Sequence, residues 1–339
     1  MFFNLRRIIS NKTKAKILNS FFYRLYSRLK LLKPEIRFSV ELTTRCNAKC
    51  KMCTRQSLVD KNRLHVGVMD DLIVNNVIDQ MKKFSDLGYE VVFTPMGLGE
   101  PLLYEKLYKV IERVKKYRIK VILVTNGILL NNKNIDGILN ARVDEITVSL
   151  NTKNKNEYKK LMGVDGFDLV NKNLDLLFEK RNKKKSKLKI FIQFLGSQND
   201  FDKQIRYWNN KMRNGDKCYV HSFVNQAGLV KNNSKNINYP CSQPLYRISI
   251  KINGDIYPCD PALYSGSDKF RELYLGNIMD RSVIKDFLDK NNKRYKILSM
   301  MKKENYSKIK CCQVCTTKGL SENCFFNISR LHIDGYKWF

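Results

Sequence analysis

The chain has 339 residues, enough to bury one barrel-sized domain and a smaller appendix, and its 43% apolar content is that of a globular protein. No apolar run reaches the roughly 18 residues that a membrane span needs, and the start, Met1-Phe2-Phe3-Asn4-Leu5-Arg6-Arg7, has no secretory apolar region or cleavage site, so the cytoplasm is expected. A formal charge of +31 calls for an anionic partner, which is a phosphorylated substrate, a membrane surface or nucleic acid.

Residues 1–34 hold nine Lys or Arg and no acid, with Leu5, Ile8, Ile9, Ile17, Leu18, Phe21, Phe22, Leu25, Leu29 and Leu32 at helical spacing. This predicts a basic amphipathic helical segment that caps a barrel base or, less favoured, lies on a membrane surface. From Glu35 the pattern changes. Strands are predicted at Arg37–Leu42, Glu90–Phe93, Lys120–Val124, Glu145–Leu150, Lys189–Phe194 and Cys218–Val224. Amphipathic helices are predicted between them at Asp70–Leu87, Tyr104–Tyr117, Asn132–Asn140, Phe167–Arg181 and Phe201–Arg213. Six βα units predict an α/β fold with a parallel sheet, curved or closed: a partial (β/α)6 TIM-like barrel over 35–232. In such folds the chemistry sits where the βα loops leave the C-terminal ends of the strands.

Beyond about Asn232 the alternation stops. A hairpin is predicted from Arg247–Ile252 through Asn253-Gly254 into Asp255–Pro258, then a helix over Ser282–Met301. Residues 233–339 are thus expected to form a small cysteine-rich α+β extension.

Ten cysteines in short groups, on a long chain without an export signal, read as metal or cluster ligands rather than disulfides. Cys46, Cys50 and Cys53 stand C-x3-C-x2-C directly after the first strand. Three thiolates are one too few for a closed zinc site, whereas a four-iron cubane held by three cysteines keeps one iron open. With Met52 in the slot before Cys53, this segment closely resembles the cluster motif of the radical S-adenosylmethionine (SAM) enzymes. The resemblance implies a [4Fe-4S] cluster whose open iron is chelated by SAM, and a flavodoxin or ferredoxin type electron donor.

The later strand ends match the same family. Thr94-Pro95-Met96-Gly97-Leu98-Gly99-Glu100-Pro101 is similar to its G-G-E-P segment, with Leu98 between the usual adjacent glycines. The resemblance assigns Gly97, Gly99 and Glu100 to SAM, the carboxylate accepting from the ammonium group. Val124-Thr125-Asn126-Gly127 resembles the family's T-N-G segment, and Asn126 is expected in the SAM pocket. A plain Asn-Gly turn is the competing reading. Ser149 and Asn151 stand where the family has Ser-x-Asp; Asn151 keeps hydrogen-bonding capacity and loses the charge. Gln193, near the end of the fifth strand, is a candidate contact to SAM or substrate.

In the extension, Cys241-x12-Gly254-x4-Cys259 and Gly276-Asn277-Ile278 resemble the SPASM and twitch domains that hold auxiliary iron–sulfur clusters. The expected ligand set is Cys241, Cys259, Cys312 and Cys315, with Cys311 an alternative to Cys312 and Cys324 left over or in a second site. A zinc ribbon is the competing reading.

On this reading SAM is cleaved reductively to methionine and a 5′-deoxyadenosyl radical, which takes a hydrogen atom from a polar, anionic small molecule such as a sugar, aminocyclitol or nucleotide sugar. The auxiliary cluster accepts the remaining electron, which would make the enzyme an oxidoreductase. Two alternatives stand beside it. One is a maturase of ribosomal precursor peptides, disfavoured because only 45 residues precede Cys46. The other is a basic zinc protein binding nucleic acid, disfavoured because it leaves the C-x3-C-x2-C loop unexplained.

Overall fold

The computed structural model describes residues 35–230, 241, 243–265, 270–289, 291–302 and 309–316. The basic segment 1–34 and Cys324 lie outside the described residues.

The six apolar segments form strands β1 (Glu35–Val40), β2 (Glu90–Pro95), β3 (Lys120–Thr125), β4 (Glu145–Asn151), β5 (Lys189–Leu195) and β6 (Lys217–His221), each parallel to the next. Their period-2 patterning explains the two faces. On β5, Ile190, Ile192 and Phe194 are fully buried among the helices, while Phe191, Gln193 and Leu195 alternate on the other face. The same alternation on β4 sends Ile146, Val148 and Leu150 into the core and leaves Thr147, Ser149 and Asn151 on the inner face.

The crossovers are helical: α1 (Arg55–Asp60), α2 (Asp71–Asp86), α3 (Leu107–Lys115), α4 (Asn132–Asn140), α5 (Lys155–Met162), α6 (Phe167–Lys183) and α7 (Asp202–Asn209). Helix α2 starts where the Asp70 side chain accepts from Leu72 N, and buries Val74, Val77, Ile78, Met81 and Phe84, one stripe at 3.6-residue spacing. Helix α4 matches its predicted bounds, capped by Asn131 on Asn134 N.

Several expectations need correction. Helix α3 begins three residues later than predicted because Pro101–Leu103 makes its own 3-10 turn, capped by Glu100. Strand β6 stops at His221, so Ser222, Phe223 and Val224 leave the sheet. The helix predicted over Ser282–Met301 is two: α9 (Val283–Leu288) and α10 (Lys293–Lys302). Between them the Asp289 and Asn292 side chains accept from Asn291 N and Tyr295 N, competing with the helical ladder.

The extension continues the sheet. After a short helix α8 (Gln243–Tyr246), strand β7 (Arg247–Ile250) pairs in parallel with β1, and β8 (Asp255–Tyr257) and β9 (Gly276–Asn277) follow antiparallel. The strand order is β6-β5-β4-β3-β2-β1-β7-β8-β9, so the sheet is open rather than closed. A second, smaller apolar cluster gathers Tyr257, Ala262, Leu273, Ile297 and Ile309 with Cys241, Cys311, Cys312 and Cys315, and Cys259 packs against it. Among the described residues no helix is long and apolar enough to cross a membrane.

Candidate active site

The cysteine loop is held by backbone, hydroxyl and guanidinium contacts, and Cys50 Sγ adds a contact to Met162 Sδ at 3.8 Å. Thr43 and Thr44 hydroxyls donate to the Gly67 and His65 carbonyls, and Thr44 Oγ1 also accepts from Gly67 N. Arg55 Nε donates to the Thr44 carbonyl at 2.7 Å. From the other side, Lys49 N and Lys51 N donate to the carbonyls of Met162 and Leu161 at the end of α5. That helix was not predicted, although its signals are present: Asn154 accepts from Glu157 N, and Gly163 closes it at φ 69°. A side chain at Gly163 would put its Cβ 2.5 Å from the Lys49 carbonyl, so glycine is needed there twice over.

Cys46, Cys50 and Cys53 all line one cavity of about 420 Å³ at the C-terminal ends of the parallel strands. Burial raises all three thiols, Cys50 to about 12, and the neighbouring cysteines raise Cys50 and Cys53 further by repulsion between thiolates. Without a cationic centre the loop therefore holds thiols. Among the described residues no three Cys, His, Asp or Glu side chains are arranged to hold a single metal ion. The thiols border a space instead, and the Asn47 amide nitrogen next to Cys46 is buried with no acceptor among the described residues. This donor set fits an anionic multi-iron cluster better than one zinc ion.

Gly97, Gly99, Glu100, Asn126, Ser149, Asn151 and Gln193 line the same cavity. The glycines are dictated by close approach: a Cβ on Gly99 would lie 2.1 Å from the Thr43 carbonyl oxygen, and one on Gly97 2.6 Å from Glu41 Oε1. Glu100 is buried, and its carboxylate accepts from Thr125 Oγ1 at 2.7 Å, Asn126 N at 2.8 Å and Leu102 N at 3.2 Å. In this structure it fastens the end of β3 to the glycine loop. Asn126 Nδ2 then donates to Asn47 Oδ1, tying β3 to the cysteine loop. Asn151 adopts φ 63° at a bulge in β4, and Gln193 Nε2 lies 3.4 Å from its Oδ1.

The sequence reading missed Met162, Tyr219, His221, Phe223 and Tyr264, which also line the cavity. Tyr219 and His221 were findable, two residues apart on one face of β6, and Tyr219 donates to Gln193 Oε1 at 2.9 Å. Tyr264 carried no local signal: it follows Cys259 by five residues, and its carbonyl accepts from Thr54 Oγ1 at 2.6 Å, beside Cys53. In the extension, burial and the charges of Cys241, Cys315 and Cys311 push Cys259 well up, and a hydrogen bond with Cys311 followed by burial raises Cys312. The four expected ligands thus gather with Cys311 beside them.

Two buried carboxyls give the metal-free chain an unusual pH response. Burial pushes Glu41 and Glu100 up from 4.5 to about 7, against the donors each accepts. Across that interval the folded chain binds more protons than the unfolded one, so its stability is greatest below about pH 4.5 with respect to these groups and falls as pH rises towards 7. Urea midpoints of the metal-free protein at about pH 5 and about pH 8 should show the drop, and Glu41→Gln should reduce it; a midpoint that rises over this range would refute the assignment.

A profile of the radical SAM superfamily matches residues 40–205, and one of an iron–sulfur cluster-binding domain, SPASM, matches residues 241–316. A Methanococcus maripaludis protein named "Probable GTP 3′,8-cyclase" is 33% identical over 147 residues, 43% of this chain and 46% of that protein. The match thus spans about half the length of the curated relatives. Among solved structures, BtrN in complex with AdoMet and 2-DOIA has a TM-score of 0.56 at 17% identity, covering 86% of this chain and 98% of BtrN. Streptococcus suis SuiB bound to precursor peptide SuiA has 0.57 at 14%, covering 86% and 72%. At these identities the likeness is one of fold. The radical SAM profile implies a [4Fe-4S] cluster and SAM, which the cavity's donor set fits, and the SPASM profile implies auxiliary iron–sulfur binding. Each profile falls where one of the two cysteine groups does, and the chain carries a radical SAM domain followed by a C-terminal SPASM domain.

Proposed function

We propose that the chain is an enzyme that cleaves SAM reductively at a cluster on Cys46, Cys50 and Cys53 and removes a hydrogen atom from a polar small molecule. The carrying observation is that the three thiols and the glycine loop share one cavity with a wall of uncharged hydrogen-bonding groups. When bound, the cluster and SAM supply one-electron chemistry at an otherwise unreactive C–H bond. The chain's own part is to bind, orient and exclude water. Gly97 and Gly99 let the loop pack against Glu41 and the Thr43 carbonyl, which shapes that wall of the cavity, and Asn126 is fixed by Glu100 and Asn47.

Ser149, Asn151, Gln193, Tyr219, His221 and Ser222 present hydroxyl, amide and imidazole groups suited to the hydroxyls of a sugar or aminocyclitol. A cavity of about 420 Å³ lies within the size range of small-molecule sites. The Cys241, Cys259, Cys312 and Cys315 group would hold the auxiliary cluster, making the net reaction an oxidation. The SuiB fold supports a second reading, a peptide maturase, which a peptide-dependent rise in 5′-deoxyadenosine would favour over a sugar-dependent one.

Iron, sulfide and zinc analysis of anaerobically purified protein tests the proposal. A Cys312→Ala/Cys315→Ala variant is expected to lose about four irons per chain, one cubane, and still to form 5′-deoxyadenosine with dithionite. Zinc at the C-terminal cysteines would remove the electron acceptor and redirect the function to a redox-neutral rearrangement.

A further inference from the structure

Glu41 does not line the cavity, yet it lies directly beneath the glycine loop. It is 2% exposed, one residue past the end of β1, and each of its carboxylate oxygens accepts from a different part of the chain. Oε1 accepts from Leu98 N at 2.9 Å, in the middle of the Gly97-Leu98-Gly99 loop. Oε2 accepts from Ile252 N at 3.3 Å, in the turn between β7 and β8 of the C-terminal unit. Gly97 is packed so closely on this side chain that an added Cβ would lie 2.6 to 2.8 Å from its Oε1, Cγ and Cβ. The backbone repeats the arrangement, since Met96 N donates to the Val40 carbonyl and Glu41 N to the Ile250 carbonyl.

Burial disfavours charge on Glu41, so its oxygens must be used as hydrogen-bond acceptors. Lys251 is 8% exposed, its ammonium donates to Ser265 O and Oγ, and its charge acts on Glu41 without a direct bond between them. A carboxylate taken out of water in this way is costly unless its lone pairs are used. Here they are used by one N–H of the SAM loop and one of the C-terminal hairpin.

We propose that Glu41 is the positioning residue for SAM: it holds the Gly97–Glu100 backbone in its binding form and fastens that loop to the C-terminal hairpin. The inference rests on the reading of the cavity as a SAM site. It makes the hairpin part of the SAM site's support, since the same side chain serves both.

The test is SAM affinity, measured by titration calorimetry on full-length, anaerobically reconstituted protein and paired with the change SAM causes in the electron paramagnetic resonance spectrum of the reduced cluster. Glu41→Ala removes both acceptors and should weaken SAM by about tenfold or more, the effect of stranding a buried donor, with iron and sulfide retained. Glu41→Gln keeps an oxygen for Leu98 N but sets a donor against Ile252 N, and should lose about threefold. Phe84→Leu, a core change that touches neither loop, should lower the melting temperature and leave SAM affinity at the wild-type value. If Glu41→Ala does not fold, Glu41→Gln decides: a loss of affinity supports the inference and wild-type affinity overturns it. Equal losses in Glu41→Ala and Phe84→Leu, or none in Glu41→Ala, also overturn it while the SAM reading survives. A wild-type protein that binds no SAM removes both.

Discussion

Single replacement of Cys46, Cys50 or Cys53 by alanine is expected to reduce dithionite-driven 5′-deoxyadenosine formation to the blank. The loss should exceed the roughly 10- to 100-fold that follows when only a partner of a metal ligand is removed. A cluster with three protein ligands has none to spare, because its fourth iron must stay open for SAM. The cysteine loop itself should persist. Its shape comes from Thr43, Thr44, Arg55 and the α5 carbonyls, and from the turn in which Cys53 N donates to the Cys50 carbonyl. The metal-free variants should therefore melt with the metal-free wild type while losing about four irons per chain on reconstitution. Undiminished product from any of the three would sink the assignment of this loop.

The largest stability effect should come from Asp216→Ala. Arg181, at the end of α6, and Asp216, just before β6, have fully buried side chains, with Arg181 NH1 donating to Asp216 Oδ1 at 2.9 Å and Oδ2 at 2.8 Å. Asp216 also accepts from Ile190 N and Arg213 N, so one carboxylate fixes the start of β5, the start of β6 and the end of α6. Arg181 Nε and NH2 have no acceptor among the described residues. Removing Asp216 strands a buried guanidinium, at a cost of about 3–5 kcal/mol. The double variant Arg181→Met/Asp216→Ala, which removes the stranded charge, should be more stable than Asp216→Ala alone. Urea denaturation of the metal-free proteins would decide it, and a double variant weaker than the single would show that the remaining contacts of Arg181, to the Leu188 carbonyl and the Phe178 ring, outweigh the stranded charge.

What could be read from the residues was what depends on neighbours in sequence. Period-2 and period-3.6 patterns placed six strands and five helices, and the cysteine spacing with the strand-end motifs brought to one cavity every residue assigned to the first site. What depends on distant residues was invisible. The hairpin at Asn253-Gly254 was expected, but nothing local says that its first strand pairs with β1. Tyr264 enters the cavity because Thr54 holds its carbonyl, a contact across 210 positions. The break after Leu288 was hidden for another reason. Asp289 and Asn292 suit a helix surface in a pattern reading, and only the geometry shows them capping.

The pairing of β1 with β7 also sets an order of events during synthesis. One edge of β1 is met early by β2, but the other waits for a strand whose Arg247 bonds Ser39 across 208 positions. At ribosomal speed that is an interval of about 10–40 s. Throughout it the nascent core carries an unpaired, apolar strand edge next to the cysteine loop, a template for pairing with other chains. Glu41, one residue beyond that edge, is without its Ile252 partner for the same time. The C-terminal hairpin therefore acts as a closing seam for the growing core, and the chain's yield of folded protein depends on how well β1 is shielded until that seam arrives.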